Sequence, residues 1–446
     1  MAIGIIGMLA AILVMVIGAY RGIKAIPLTI LAALVVIAAN RMEVWSSLTT
    51  LYAGQFGTIV ARFFFIFISS SIYAMFMDKT GSTASIGKQL IKWFGTKHVM
   101  VVVFIFTAIL TYGGVSLFVV FFAALPVAFV LFKEANLPRA AIMAPMGAGG
   151  AGITMTTLPG TPALTNIIPS QHLGTPLTAA PIFSLIMAAI IVFLSFLYFG
   201  HVKRAARKNN EGFTFPPGFD AAAAANMNTA TLPHPIKAFI PIITLIGFLI
   251  VSTVASAPWA AEPMLLATLA MIIASIVCLV LNPKKITITG VKNWIGDGSN
   301  NGITAIVGLA AVIAFGEVVS NAPAFQYVQN WLLGLDMNVY FKGLVSTGVI
   351  SGITGSSSGG AQIALANLGE YFLAAGEAGA NLEVLHRLIA MSAGTLDTLP
   401  HVSAIFLFLA LLGCTHKEAY KYLFWPTVVI PSVVTIFGVI VATIIW

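Results

Sequence analysis

The chain has 446 residues, of which 59% are hydrophobic and only 8% charged, with a formal net charge of +8. Soluble domains carry about 25% charged residues, so there is too little charge here to cover a water-facing globule of this size. The chain reads as an all-α polytopic membrane protein with about 10–12 spans, bathed in the lipid bilayer.

The first apolar run, 3–19, has no basic residues before it, and Arg21 and Lys24 follow it. That pattern predicts a retained first span with its N terminus outside, not a cleaved signal. Residues 1–57 are expected to be N-terminal scaffold helices, two spans followed by an interfacial stretch around Trp45. A first transport region is predicted over 58–170, with a re-entrant hairpin at about 112–133 and a broken helix at about 139–168. Scaffold helices over 171–299 include a cytoplasmic linker at about 201–234, which holds Lys203-Arg204-Ala205-Ala206-Arg207-Lys208 and Pro216-Pro217. A second transport region is predicted over 300–415, with a hairpin at about 343–372 and a broken helix at about 387–413. A C-terminal scaffold helix occupies 416–446.

The basic residues gather in short loops, as the positive-inside rule requires, and no soluble domain is visible that could present them to a nucleic acid. Cys278 and Cys414 are too few for a disulfide framework or a metal cluster. The histidines are scattered without metal-ligand spacing, so no metal and no cofactor is expected. No catalytic nucleophile set is visible either, so the chain does not read as an enzyme.

An internal repeat organises the rest. Thr154-Met155-Thr156-Thr157-Leu158-Pro159 returns as Thr395-Leu396-Asp397-Thr398-Leu399-Pro400, and Gly114-Val115-Ser116 aligns with Gly355-Ser356-Ser357. Both pairs share one offset, from 154 to 395 and from 114 to 355, which is 241 positions. Loop charge gives the relative orientation. The loop 78–98 holds Lys79, Lys88, Lys92 and Lys97, whereas its counterpart 321–342 has only Lys342. The first is therefore expected inside and the second outside, which makes the repeats inverted, as in many secondary transporters with a site at the midplane.

Glycine and hydroxyl residues interrupt the apolar sequence at the repeated motifs, and such backbone is tolerated at membrane depth only when buried in protein or lining a cavity. Free N–H groups at broken-helix ends suit an anion. Candidate substrate contacts are Gly114, Ser116, Thr157, Gly160, Thr161, Ser356, Ser357, Ser358, Gly359, Gln362 and Thr398; the competing role for small residues is close helix packing. The repeats differ where Asp397 replaces Thr156 and His401 replaces Gly160. If a helix continues through the proline, these two titratable groups share one face. A carboxyl group in low dielectric favours its neutral form, which suits a proton carrier. Asp397 and His401 are thus assigned to proton coupling, with His401 also a substrate contact and Glu317 a further relay candidate. Gly147-Ala148-Gly149-Gly150-Ala151-Gly152 matches the dinucleotide fingerprint in letters but lacks the soluble strand and the following acid, so it reads as a membrane glycine patch.

The segments TYGGVSLFVVFFAALPVA (111–128), LPGTPALTNIIP (158–169), GSSSGGAQIAL (355–365) and LDTLPHVSAIF (396–406) resemble the gluconate permease (GntP-type) family of the ion transporter superfamily, nearest the branch for short-chain hydroxy acids such as 3-hydroxybutyrate. The resemblance covers nearly the whole chain. It implies a proton-coupled symporter for a small carboxylate in the cytoplasmic (inner) membrane of a bacterium, with hairpins meeting at a central site in a homodimer that works by an elevator motion. The LDTLPH string favours a small monocarboxylate over gluconate. Where that branch carries Asn-Gly after the histidine, this chain has Val402-Ser403, which removes an amide from the implied site. The alternatives are a gluconate or sugar-acid:proton symporter and a sodium-coupled carboxylate transporter.

Overall fold

The computed structural model describes residues 2–112, 117–161, 163–214, 232–254, 258–261 and 263–446. Every regular element among the described residues is helical. The chain opens with α1 (Ala2–Tyr20) and α2 (Ala25–Ala39), followed by the long α3 (Val44–Lys79) with a π-helical turn at Ser47–Ala53. Then come α4 (Ser82–Phe94), α5 (Val99–Tyr112), α6 (Leu117–Glu134) and α7 (Met143–Gly147), which runs on as a π-helix over Ala148–Thr154. α8 (Leu164–Leu173) and α9 (Pro181–Lys208) complete this half.

The second half follows the same order. It comprises α10 (Pro235–Val254), α11 (Pro263–Val280), α12 (Ile288–Ser320), α13 (Pro323–Leu333), α14 (Val339–Thr354), α15 (Ser357–Glu377), α16 (Leu382–Ala393), α17 (Ser403–Leu412) and α18 (His416–Ile445). Helices α4, α5, α6 and α8 start at 82, 99, 117 and 164, and α13, α14, α15 and α17 start at 323, 339, 357 and 403. Paired helices therefore stand 239–241 residues apart, close to the motif offset. By length and composition α1, α3, α9, α12 and α18 are apolar enough to cross a membrane, and α2 and α17 are among the shorter apolar helices.

Lipid tails are as apolar as leucine, so helices in a membrane associate through close packing more than through water exclusion. The sequence provides for this with small residues. In α1, Gly7 lies against the side chain of Ala39 and Gly18 against that of Leu28. The opposite stripe of α1 (Ile3, Ile6, Leu9, Leu13 and Ile17) is exposed and faces the lipid. The long helices α3 and α12 pack together more extensively than any other pair. Two glycines make their approach possible: a Cβ at Gly302 would stand 2.9 Å from the Phe67 carbonyl oxygen, and one at Gly298 would stand 2.9 Å from the Ile72 Cα. The dinucleotide-like patch in α7 serves the same end, since a Cβ at Gly149 would meet the Phe104 carbonyl oxygen at 2.6 Å.

Several expected boundaries move. The range 112–133 is a single hairpin arm: α5 and α6 pack on one another as two arms, and residues 113–116, with Gly114 and Ser116, lie outside the described residues. The incoming arm was hidden because its apolar run, 99–110, reads like an ordinary span. The second hairpin is wider than 343–372, with arms α14 and α15. It turns at Gly355, whose φ of +65° is costly for any residue with a Cβ. Ser356 then caps α15, its hydroxyl oxygen accepting from the Gly359 amide at 3.1 Å. The linker is shorter than 201–234, because α9 continues through the basic cluster to Lys208. Cations in a last helical turn are favoured by the helix dipole. Residues 211–214 then dock on the body, where Arg139 donates to the Thr214 carbonyl at 2.9 Å and Phe213 N–H donates to Asn136 Oδ1.

Candidate functional site

Both motif regions are unwound. Between α7 and α8 the chain leaves the helix at 155–161 and 163, and between α16 and α17 it does so at 394–402. The condition that a helix runs through Pro400 is therefore not met. Asp397 and His401 sit in turns, and a shared helix face does not describe them. Proline disfavours helical geometry in the residue before it, and Leu-Pro recurs in both motifs.

Side chains satisfy the freed carbonyls. In the first segment Thr165 donates to the Met155 carbonyl, Tyr112 to Pro159 at 3.1 Å, and Asn166 to Thr161 at 2.7 Å. In the second, Tyr420 donates to Thr398 and His416 to Pro400, both at 2.9 Å. This is how irregular backbone persists inside an apolar body. The two unwound segments approach each other directly, since a Cβ on Gly394 would stand 2.4 Å from the Thr156 Cγ2.

The tip of the second hairpin closes over the second segment. The Asp397 carboxylate interacts with the Ser357 hydroxyl, and its Oδ1 is enclosed with no hydrogen-bond partner. His401 is buried, and its Nε2 lies 2.9 Å from the Gly352 carbonyl oxygen near the end of α14. A carbonyl only accepts, so Nε2 carries the proton. That leaves Nδ1, which is enclosed and unpartnered, as an open proton acceptor. The Ser351 hydroxyl, fully buried one residue before Gly352, is likewise unpartnered. A carboxylate oxygen and an imidazole nitrogen are thus both enclosed as unused proton-binding atoms.

The other candidates divide. Thr157 is buried and bonds back to the Gly152 carbonyl at 3.3 Å, while Thr161 is buried with its hydroxyl unpartnered. Gly160 has φ +79° and its N–H donates to the Leu177 carbonyl. Ser356 and Gly359 bond to each other, and Ser358 lies beside them in the first turn of α15. Three candidates point elsewhere. Thr398 donates its hydroxyl to Thr427 Oγ1 at 2.9 Å, Gln362 pairs with His172 at 3.2 Å near the surface, and Glu317 accepts from Asn321 in the last turn of α12. Each is tied to a local partner, and none of these bonds reaches Asp397.

Sequence reading missed Arg387. It lies on α16, is fully buried, and is the largest side chain so enclosed. Its guanidinium donates to the Leu158 carbonyl at 3.3 Å, the Leu177 carbonyl at 3.3 Å, and Asn166 Oδ1. His386 joins the cluster through its Nε2, which lies 2.8 Å from Asn166 Oδ1 and against the Arg387 guanidinium, while its Nδ1 lies 2.6 Å from Thr175 Oγ1. The available signal was an ionisable residue in an apolar stretch. Its place six residues after Asn381, with Glu383 between, resembles a water-facing helix end.

No family model matches the chain. It is 30% identical over 450 residues to the uncharacterized transporter YxjC of Bacillus subtilis, an alignment that covers 92% of this chain and 93% of that protein. That identity over nearly the full length of both shows that the chain belongs to the family of that transporter, and its apolar helices of spanning length agree with a membrane protein.

Proposed function

We propose that the protein is a secondary active transporter that moves a small monocarboxylate, of the 3-hydroxybutyrate type, together with protons across the cytoplasmic membrane of a bacterium. One observation carries the reading. Asp397 Oδ1 and His401 Nδ1 are enclosed and unpartnered at the junction of the second hairpin and the unwound segment. Groups that can take up a proton there, beside the hydroxyl of Ser357, suit coupled movement of proton and anion. The common offset of the helices supports a duplication wider than the motif regions alone, and the loop charges support its inversion. The resemblance to gluconate-type permeases adds the substrate class, the homodimer and the elevator motion. In this reading α14–α17 and their counterparts α5–α8 move as the transport unit, while α3 and α12, locked at their glycines, belong with the scaffold.

Proton coupling is favoured over sodium coupling by the fate of the segment carbonyls. Those of residues 155, 158, 159, 161, 398 and 400 already accept from side-chain donors, and they would otherwise be the natural sodium ligands. A sugar acid is less well served, because Thr398 and Gln362, two of the polar groups available for extra hydroxyls, are engaged with Thr427 and His172. The test is uptake of labelled 3-hydroxybutyrate into proteoliposomes. Accumulation should follow an inward proton gradient without sodium, collapse with a protonophore, and be outcompeted by short hydroxy acids better than by gluconate. Uptake that needs sodium, or that gluconate blocks at lower concentration, would overturn it.

A further inference from the structure

The guanidinium of Arg387 has an unusual electrostatic situation. It is fully enclosed, and among the described residues its Nε has no partner and no carboxylate forms an ion pair with it. The one ion pair among those residues is Lys421 with Glu211, which is partly exposed. The acid that acts on Arg387 is Glu383, one helical turn earlier, whose Oε2 accepts from the Ala180 amide at 2.7 Å. The partners that Arg387 touches are the Leu158 and Leu177 carbonyls, Asn166 Oδ1 and the Nε2 of its neighbour His386. A buried charge held by dipoles alone is costly, and its field reaches further than it would in water.

The position of those oxygens matters. Leu158 belongs to the unwound segment of the first repeat, between Thr157 and Gly160, while Arg387 belongs to the second repeat. Thr161 nearby also keeps an unpartnered buried hydroxyl. The side chain therefore ties the two halves together at the site and keeps a positive charge there that Glu383 opposes from one helical turn away without a contact ion pair.

We infer that Arg387 is the positioning residue and fixed counter-charge of the carboxylate site: it holds the Leu158–Gly160 segment through backbone carbonyls and supplies the field that selects an anion. This rests on the proposed transport of a carboxylate, and it adds the residue that sets charge selectivity. A purely structural clamp would affect charged and neutral ligands alike, whereas a counter-charge separates them.

The experiment measures thermal shifts of purified full-length protein with a panel of C2–C6 hydroxy and keto acids, using 3-hydroxybutyramide as the neutral counterpart of 3-hydroxybutyrate. Arg387→Gln keeps a donor but removes the charge, and should weaken carboxylate binding at least tenfold while leaving the amide's weak binding unchanged. Glu383→Gln keeps an acceptor for the Ala180 amide but removes the opposing charge, and should tighten carboxylate binding severalfold. Arg387→Lys keeps the charge but not the fork, and should retain carboxylate binding while transport slows. If Arg387→Gln does not fold, the tightening in Glu383→Gln decides the matter alone. Equal effects on acid and amide, or unchanged or weaker binding in Glu383→Gln, would overturn the inference. If wild type binds another acid of the panel and not 3-hydroxybutyrate, the substrate assignment fails and Arg387 is judged on that acid. Binding of none of them overturns both.

Discussion

Asp397 and His401 differ from their repeat counterparts in what their side chains do. Thr156, the partner of Asp397 in the first repeat, folds its hydroxyl back onto the Ala151 carbonyl at 3.0 Å, with Thr157 Oγ1 beside it at 3.5 Å. Asp397 instead reaches the hairpin tip at Ser357 and keeps Oδ1 unpartnered. Asparagine at 397 preserves the shape and the acceptor oxygen but cannot exchange a proton. Asp397→Asn should reduce proton-driven accumulation to the level of empty liposomes while exchange of labelled for unlabelled substrate continues. Proton-driven accumulation at the wild-type rate would remove Asp397 from the coupling step. The repeat mismatch made these two residues legible in the sequence. Arg387 was not, because its burial depends on what packs around α16, and Asn381 and Glu383 before it make its local sequence resemble a water-facing helix end.

Helices are the scale at which glycine decides packing. On α12, Gly302 faces the backbone of α3, whereas a Cβ at Gly308 would meet nothing within 4 Å among the described residues. Overpacking a filled interface costs about 1–3 kcal/mol, and more where the obstacle is backbone. Gly302→Leu should therefore lower the melting temperature in detergent clearly, and Gly308→Leu on the same helix should leave it near wild type. Equal melting temperatures for the two would mean that α3 and α12 do not meet at this crossing. Such seams are only half legible beforehand. The pattern of small residues marks a close approach, but the partner helix lies more than 200 positions away in the chain, as Phe67 does from Gly302. The π-helical course of α7 has no sequence signature apart from its run of small residues.

Across the molecule, the second hairpin meets the long helix α12, where a Cβ at Gly316 would stand 3.2 Å from the Thr354 carbonyl oxygen. If the transport unit slides against the scaffold, this contact must break in each cycle. Gly316→Cys with Thr354→Cys, in a chain with Cys278→Ser and Cys414→Ser, should stop uptake on oxidation and recover on reduction. Full cross-linking with undiminished uptake would rule out sliding at this contact. The pair combines an element read as transport region with one whose packing places it beside α2 and α3. The division at residue 300 thus looked natural in the sequence because α12 leads directly into the second motif region.

Composition and periodicity determined the solvent of this protein. So little charge over so many apolar runs leaves the bilayer as the only medium, and helices as the only open-ended structure that satisfies its backbone there. The repeated motifs determined where the helices break, because glycine, proline and hydroxyl residues act locally. The tertiary structure decided which unwound segments face each other, which hydroxyls are already bonded, and that a buried guanidinium without a contact ion pair stands behind the first one. Those outcomes depend on groups brought together from distant parts of the chain, and no local pattern encodes the environment that leaves the charge of Arg387 unpaired.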